Sequence, residues 1–348
     1  MNIFDISRLA GVSRKTVQRV LNNATNVKPE TQEKIRRVME EHHYEPSAVA
    51  RKLSSSKPTT VAIFIVQDAK QYKLYTDDLY YGAVIGGIIS YCNTRAYNTL
   101  VSIMDVTDPD QLLSLFKQKT VDAGVIISWC NVEAIVDKAT KAGFPIAVFD
   151  QNNADPLDGL VPIPRLDDWT SAYKAATHLL DLGHTRLGIV TGDMNIPCAP
   201  VRLAGFVKAV EDRGLRVSPH HIHHGHFVEQ SGAEAIDRWL ADDRLPEALF
   251  CSNDLMAYGA LKALIRQGIS VPEQMSLIGF DDLLISEYMH PPLTTMRVPR
   301  IEMAIDMTER LIDRLENPSE RSVSFSPAVF QAELVERAST FARSDDRR

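Results

Sequence analysis

A chain of 348 residues, 45% hydrophobic and 24% charged, has the composition of an ordinary globular protein and a length that suggests two or three domains. No run reaches the apolar length of a membrane span, no basic n-region and apolar h-region open the chain, and Cys92, Cys130, Cys198 and Cys251 are singletons without metal-ligand spacing. The net charge of −7 is unevenly placed: residues 1–57 hold 11 Lys+Arg against 6 Asp+Glu, and the remainder holds 27 against 39. A small basic module on an acidic body fits that split, and a phosphate-binding surface needs only local positive charge.

Residues 4–10 make a first short helix, with Ile6, Leu9 and Ala10 available for a small core. Gly11 supplies a tight turn, where positive φ costs glycine nothing, and Ser13 is a natural N-cap for a second helix. In that helix Val17, Val20 and Leu21 recur at helical spacing and face inward, leaving Arg14, Lys15, Gln18 and Arg19 outward. Helix, tight turn and a helix with a basic outer face form the pattern of a helix-turn-helix that enters a DNA major groove. Taken alone, the stretch also fits a solvated amphipathic helix. The second helix ends near the turn-prone pair Asn22-Asn23. Pro29 opens a third, at a position where its missing N–H costs little. Ile35, Val38 and Met39, with His42 or His43, give the third helix an inner face, and Tyr44-Glu45-Pro46 stops it. Residues 47–53 are basic but too few to hold a helix alone in water, and the Ser/Pro run after them reads as a linker.

From Val61 onward apolar strands alternate with amphipathic helices. Strands are expected at 61–66, 98–104, 123–128, 146–149, 187–190, 248–252 and 275–280, and helices between them, among them 80–95, 171–182, 201–213, 232–241 and 256–267. Repeated βα units imply parallel sheets covered on both faces, here two doubly wound halves with a junction near 160–167. Residues 339–348 are polar and charged and are expected to be a disordered tail. His220, His221, His223, His224 and His226 alternate in spacing, which on a strand divides them between two faces, so structural or surface roles are expected in place of a metal site. Neither a phosphate loop, a dinucleotide fingerprint nor a nucleophile elbow occurs, so no enzyme activity, catalytic residue or cofactor is expected.

The run from Ile6 to Leu53 resembles the N-terminal module of the lactose/galactose-repressor (LacI/GalR) family of bacterial transcription regulators. The resemblance rests on Leu9-Ala10-Gly11-Val12-Ser13, Thr16-Val17, Arg19-Val20-Leu21-Asn22, Val27, Thr31, Tyr44-Glu45-Pro46 and Ala50-Arg51-Lys52-Leu53. The rest resembles the family's periplasmic-binding-protein-like effector domain. Its landmarks are His178-Leu179, Leu182-Gly183-His184, Arg202-Leu203-Ala204-Gly205-Phe206, Asn253-Asp254-Leu255-Met256-Ala257, Gly279-Phe280-Asp281-Asp282 and Pro292-Leu293-Thr294-Thr295, in that order. The fold implied is α/β: an all-α helix-turn-helix headpiece and an effector domain of two doubly wound parallel-sheet subdomains. The implied bounds are 1–46 for the headpiece, 47–60 for a hinge helix and linker, and 61–338 for the effector-binding and dimerisation domain. Within that domain the first subdomain takes about 61–160 and 296–322, and the second about 161–293 and 323–338.

The resemblance also implies roles. Arg14, Lys15, Gln18 and Arg19 fall on base-reading positions, where Arg and Lys suit guanine O6 and N7. Ser13, Thr16, Asn22 and Thr31 fit phosphate contacts, which position without reading sequence. Gln18 replaces a usual Ser, so either an adenine contact is gained or a phosphate contact changes, and Lys28 replaces the small helix cap before Pro29. Residues 47–53 match the hinge helix that folds when two copies meet on DNA, with Leu53 as a minor-groove wedge and Ala50 permitting close approach. The effector cleft is expected between the halves, with Tyr80, Tyr81 and Phe227 as aromatic walls and Asp150, Arg202, Asn253 and Asp281 as polar positions. Asp167 and Cys198 are additional lining candidates, while Asp254 and Asp282 read as strand-end or helix-cap residues. Two acids, an amide and an arginine between aromatic walls suit a hydroxyl-rich small molecule. The implied protein is a homodimeric repressor of the bacterial cytoplasm that binds near-palindromic double-stranded operator DNA. Its affinity is set by a small molecule, a sugar or sugar derivative ahead of nucleosides and other metabolites. A solute-binding protein without regulatory DNA binding is the alternative, and an enzyme acting on a sugar stands behind it.

Overall fold

The computed structural model describes residues 1–21, 26–44, 59–68, 79–128, 130–149, 159–317, 324–326 and 328–343. Helix α1 (Ile3–Leu9) is started by a capping box: the Asn2 side chain accepts from the N–H groups of Phe4 and Asp5, and the Asp5 carboxylate accepts from Asn2 N–H. Gly11 turns the chain at φ +63°, and the Ser13 hydroxyl accepts from Thr16 N–H at 3.1 Å to open α2 (Arg14–Leu21). Helix α3 (Pro29–Glu41) begins with proline and no side-chain cap from Lys28. Ile6, Ala10, Val17, Val20, Val27 and Ile35 make the small core of these three helices. Leu9, expected inside, is 46% exposed, because Ile6 and Ala10, four residues apart, already fill the inward stripe of α1.

The body contains two main sheets. The first, ordered β2-β1-β3-β4, joins β1 (Thr60–Gln67), β2 (Asn98–Asp105), β3 (Ala123–Ser128) and β4 (Ile146–Phe149), all parallel. Its helices are α4 (Tyr81–Thr94), α5 (Pro109–Lys117) and α6 (Glu133–Lys141). Next comes β5 (Pro164–Leu166), and then α7 (Asp168–Asp181), β6 (Leu187–Thr191), α8 (Cys198–Asp212), β7 (Ile222–His224), α9 (Glu229–Ala241), β8 (Ala248–Cys251), α10 (Asp254–Arg266), β9 (Ser276–Asp281) and β10 (Thr294–Arg297). The second sheet runs β12-β10-β9-β8-β6-β7, parallel except for β12 (Glu333–Val335), which is antiparallel to β10. Every residue of β3, β4, β6, β8 and β9 is buried, as expected of parallel strands sandwiched between helices.

The chain passes to the second half after β4 and returns after β10, where α11 (Arg300–Glu316) packs on α4 of the first half. A β-carbon on Gly87 would come within 3.4–3.5 Å of Ile301 and Ala304, so that glycine permits the close approach. The Arg95 guanidinium ties the far ends together, reaching Asp313 at 3.0 Å and Glu316 at 2.5 Å. After α11 the chain crosses again, and β11 (Ala328–Phe330) pairs in parallel with β5. Among the described residues no helix is long and apolar enough to cross a membrane.

Two expectations change here. Residues 339–343, expected within a disordered tail, are a strap across the second sheet. Ser339 is fully buried: its carbonyl accepts from Leu277 N–H at 2.7 Å, and its hydroxyl donates to Leu277 O at 2.6 Å and accepts from Thr294 N–H at 2.7 Å. His184 Nε2 lies 2.9 Å from Ser276 Oγ and 3.1 Å from the Phe341 carbonyl, and Arg343 N–H donates to Leu182 O. The polarity of the strap serves buried strand-end groups that would otherwise lack partners, so it does not signal solvation. Asp167, an additional lining candidate, is instead the N-cap of α7, accepting from Thr170 N–H at 2.9 Å. The histidines of 220–226 are dispersed: His221 Nε2 lies 3.0 Å from Arg244 O, His224 Nδ1 3.1 Å from Thr191 Oγ1, and His223 stands edge-on to Trp239.

Candidate functional site

The headpiece presents one basic face. Burial of Val17 and Val20 turns α2 so that Arg14, Lys15 and Arg19 are exposed and Gln18 is half-buried at the margin. Ser13 Oγ and Thr16 Oγ1 share a 2.8 Å hydrogen bond at the start of the same helix, and Thr31 lies half-buried in the first turn of α3. The Arg14 guanidinium lies 4.4 Å from the centroid of the Phe4 ring. Asn22, Ala50, Leu53 and Asp150 lie outside the described residues.

The second constellation forms where the carboxyl ends of the second sheet's strands meet α7, α8 and α10. Arg202 on α8 is buried: its Nε donates to Asp168 at 2.7 Å, its Nη1 donates to Ser252 O at 2.6 Å, and its guanidinium lies 3.8 Å over the Phe280 ring. Burial alone would favour losing the proton, but Asp168, Cys198 and Asp281 outweigh it and hold Arg202 firmly charged. Asn253 caps α10, its Oδ1 accepting from Met256 N–H, while its Nδ2 donates to Phe227 O, both at 2.9 Å. Phe227, at φ +60°, brings the far edge of its ring against Gly192, where an added β-carbon would fall 1.8 Å from the ring. A side chain on residue 192 and the present ring position exclude each other.

Asp281 ends β9 at φ +120° and is 7% exposed, with its carbonyl accepting from Arg300 Nη1 at 2.6 Å. Arg300 also approaches the Tyr80 ring at 5.7 Å, and half-buried Tyr80 packs against the apolar clusters of both halves. Tyr80, Arg300 and Asp281 thus line up across the junction. Tyr81, expected on an aromatic wall, is fully buried and edge-on to Phe149, because Tyr81, Val84 and Ile88 form the inward stripe of α4. Tyr81 therefore backs Tyr80 from inside the core. Asp254 is likewise internal: its carboxylate accepts from Leu283 N–H, Ser286 Oγ and Thr295 Oγ1 at 2.6–2.8 Å, and burial pushes its carboxyl up to about 6 against those hydrogen bonds. Asp282 pairs with Arg297 and Arg337, both at 2.7 Å.

Comparison with known proteins now decides the family. Residues 2–47 match the model of bacterial regulatory proteins of the lacI family, and residues 176–340 match that of a periplasmic binding protein-like domain. The HTH-type transcriptional repressor PurR of Haemophilus influenzae is 30% identical over 344 residues, spanning 97% of this chain and 98% of that one. The chain belongs to the lacI family. Among solved structures, the lac repressor dimer bound to operator and the anti-inducer ONPF superposes with a TM-score of 0.83 at 24% identity, over 98% of this chain and 99% of that one. A LacI family transcriptional regulator from Enterococcus faecium with bound ribose superposes at 0.67, with 25% identity over 82% of this chain and all of that one.

As a lacI-family regulator the chain has functional candidates that sequence reasoning passed over. Asp168 stands next to Asp167, and only one of two adjacent acids can cap α7; the other is left to meet Arg202. Gly192 carried no local signal, since its need is set by a ring thirty-five residues away in the chain. Phe280, inside an apolar strand, reads as core alone, yet it is also the surface on which Arg202 lies.

Proposed function

We propose that the chain is a homodimeric repressor whose headpiece reads operator DNA and whose cleft takes a neutral, hydroxyl-rich small molecule, a sugar or sugar derivative. One observation carries the reading: a helix with an exposed basic face is joined to a two-lobed body in which Arg202, Asn253 and Asp281 converge at strand ends. Arg14, Lys15, Gln18 and Arg19 read base edges, and Ser13, Thr16, Asn22 and Thr31 hold phosphates, in a headpiece of residues 1–46. Residues 47–60 form the hinge, with Ala50 and Leu53 at the minor groove, and the effector and dimerisation domain runs from 61 past the expected bound of 338 to take in the strap at 339–343.

The charge of the cleft favours a neutral ligand. Asp168 already neutralises Arg202, and Asp281 adds a carboxylate beside them, so an anionic ligand meets no net positive field. A hydroxyl can donate to a carboxylate and accept from the free edge of Arg202. Tyr80, Phe227 and Asp150 complete the lining, with Tyr81 supporting Tyr80. The ribose held by the Enterococcus faecium regulator accords with this chemistry. Apolar side chains on the surface support the dimer: Val101 and Ile103 on edge strand β2 are each 48% exposed, and Leu284 and Tyr288 each 72%. Acting on chromosomal DNA, the protein works in the bacterial cytoplasm, by binding and without catalysis.

A thermal-shift screen of sugars, nucleosides and anionic metabolites tests the cleft. A neutral sugar is expected to raise the melting temperature and to change the affinity for an operator selected from random duplexes. A shift only with anionic metabolites would reject the assigned ligand class, and failure of the chain to retain any duplex at low salt would reject the regulatory reading.

A further inference from the structure

Phe4 is an anomaly in the headpiece. It is 57% exposed although its neighbours Ile3 and Ile6 join the core, and it lies on the same surface as the outward face of α2. Its place is not loose: Phe4 is the second residue of α1, and its own N–H is one of the two held by the Asn2 side chain at the capping box. Arg14, the first residue of α2, brings its guanidinium over that ring at 4.4 Å. Two helices joined through the Gly11 turn therefore place an aromatic face under the first outward-facing arginine of α2.

An exposed arginine otherwise samples many rotamers, and ordering it on a base costs side-chain entropy. An aromatic face restrains the guanidinium through the ring's negative quadrupole while leaving its N–H edge free. That free edge is what a bidentate contact to guanine uses. We infer that Phe4 is a positioning residue that holds Arg14 in its base-reading orientation, so that sequence selection at one symmetric pair of operator positions depends on a residue outside the recognition helix. The inference rests on the proposed regulatory function. It adds a requirement at residue 4: an aromatic ring, with no need for that ring to touch DNA.

The test uses the full-length chain and an operator selected by it from random-sequence duplexes, with every half-site base then varied singly. Phe4→Leu is expected to lower discrimination about two- to fivefold, at the one pair of positions that Arg14→Ala also blurs. Phe4→Tyr should keep full discrimination. Affinity for a random duplex and its dependence on salt should be unchanged in all three, since the phosphate contacts are untouched. In the Arg14→Ala background, Phe4→Leu should have no further effect. A uniform loss over all operator variants, or a loss that persists without Arg14, overturns the inference; the second result would mean that Phe4 meets DNA itself. A fall in headpiece melting temperature with Phe4→Leu that Phe4→Tyr does not share, with discrimination retained, would assign Phe4 a stability role and also overturn it. If the unaltered chain selects no operator, the regulatory reading falls and the inference with it, whereas selection followed by an unchanged base profile in Phe4→Leu removes the inference alone.

Discussion

Arg14 in the headpiece and Arg202 in the body each lie over a phenylalanine ring, at 4.4 and 3.8 Å, in opposite surroundings. Around Arg14 the ring is exposed and water reaches both partners, so the contact orients the side chain without committing it. Around Arg202 the ring is a core residue, Asp168 is 4% exposed, and a backbone carbonyl takes a further N–H. The same residue pair thus marks two kinds of site. An exposed arginine keeps its donors for a large partner arriving from outside, while a buried one must satisfy most of its donors internally and has only an edge left for a small molecule.

Breaking the buried pair should have the largest effect. Asp168→Asn leaves Arg202 charged and without its counter-ion, and should destabilise the second half by about 3–5 kcal/mol in urea unfolding, with the effector response lost. A stable Asp168→Asn protein would show that solvent reaches the pair. Gly192→Ala should come next: Phe227 must leave its place, at a cost of about 1–3 kcal/mol in stability, and ligand affinity measured by calorimetry should fall. On the exposed side the balance reverses. Arg19→Ala should reduce operator affinity by about 1–3 kcal/mol and blur one base position. Its melting temperature should stay close to that of the parent, as is usual for exposed positions.

The smallest effect concerns the strap at 339–343. Burial opposes the charge on Glu247, but the Arg343 guanidinium and the N–H groups of Thr185 and Arg186 bring its pKa down to about 2. A carboxyl held below its unfolded value of about 4.3 contributes stability that is complete above that pH and is lost as pH falls toward 2. Glu247→Gln should therefore modestly lower the second half's stability at neutral pH and flatten its acid limb, the difference from the parent closing as pH falls from about 4.3 to 2. An unaltered acid limb would detach Glu247 from the strap's stability.

Much of this is legible in the sequence. Strands β3 and β4 begin and end where their apolar runs do, since parallel strands covered on both faces admit few polar residues. The inward stripe of α2 read equally well, because a helix with one buried side leaves its period in the sequence. Less visible were Leu9 and Tyr81, whose burial depends on which neighbours already fill the stripe. The strap is hidden in the sequence for a related reason: Ser339 and Thr340 are polar in composition, but their polar atoms face buried donors and acceptors of the second sheet.

By itself the sequence determined that a basic helix-turn-helix precedes a two-part α/β body, because helical and strand periods and the placing of charge are local properties that survive in one dimension. Only the tertiary structure decided which of two adjacent acids caps a helix and which meets Arg202, why residue 192 is glycine, and why Phe4 is left exposed beneath Arg14. Those are relations between side chains far apart in the chain, fixed by packing in three dimensions, and no local pattern records them.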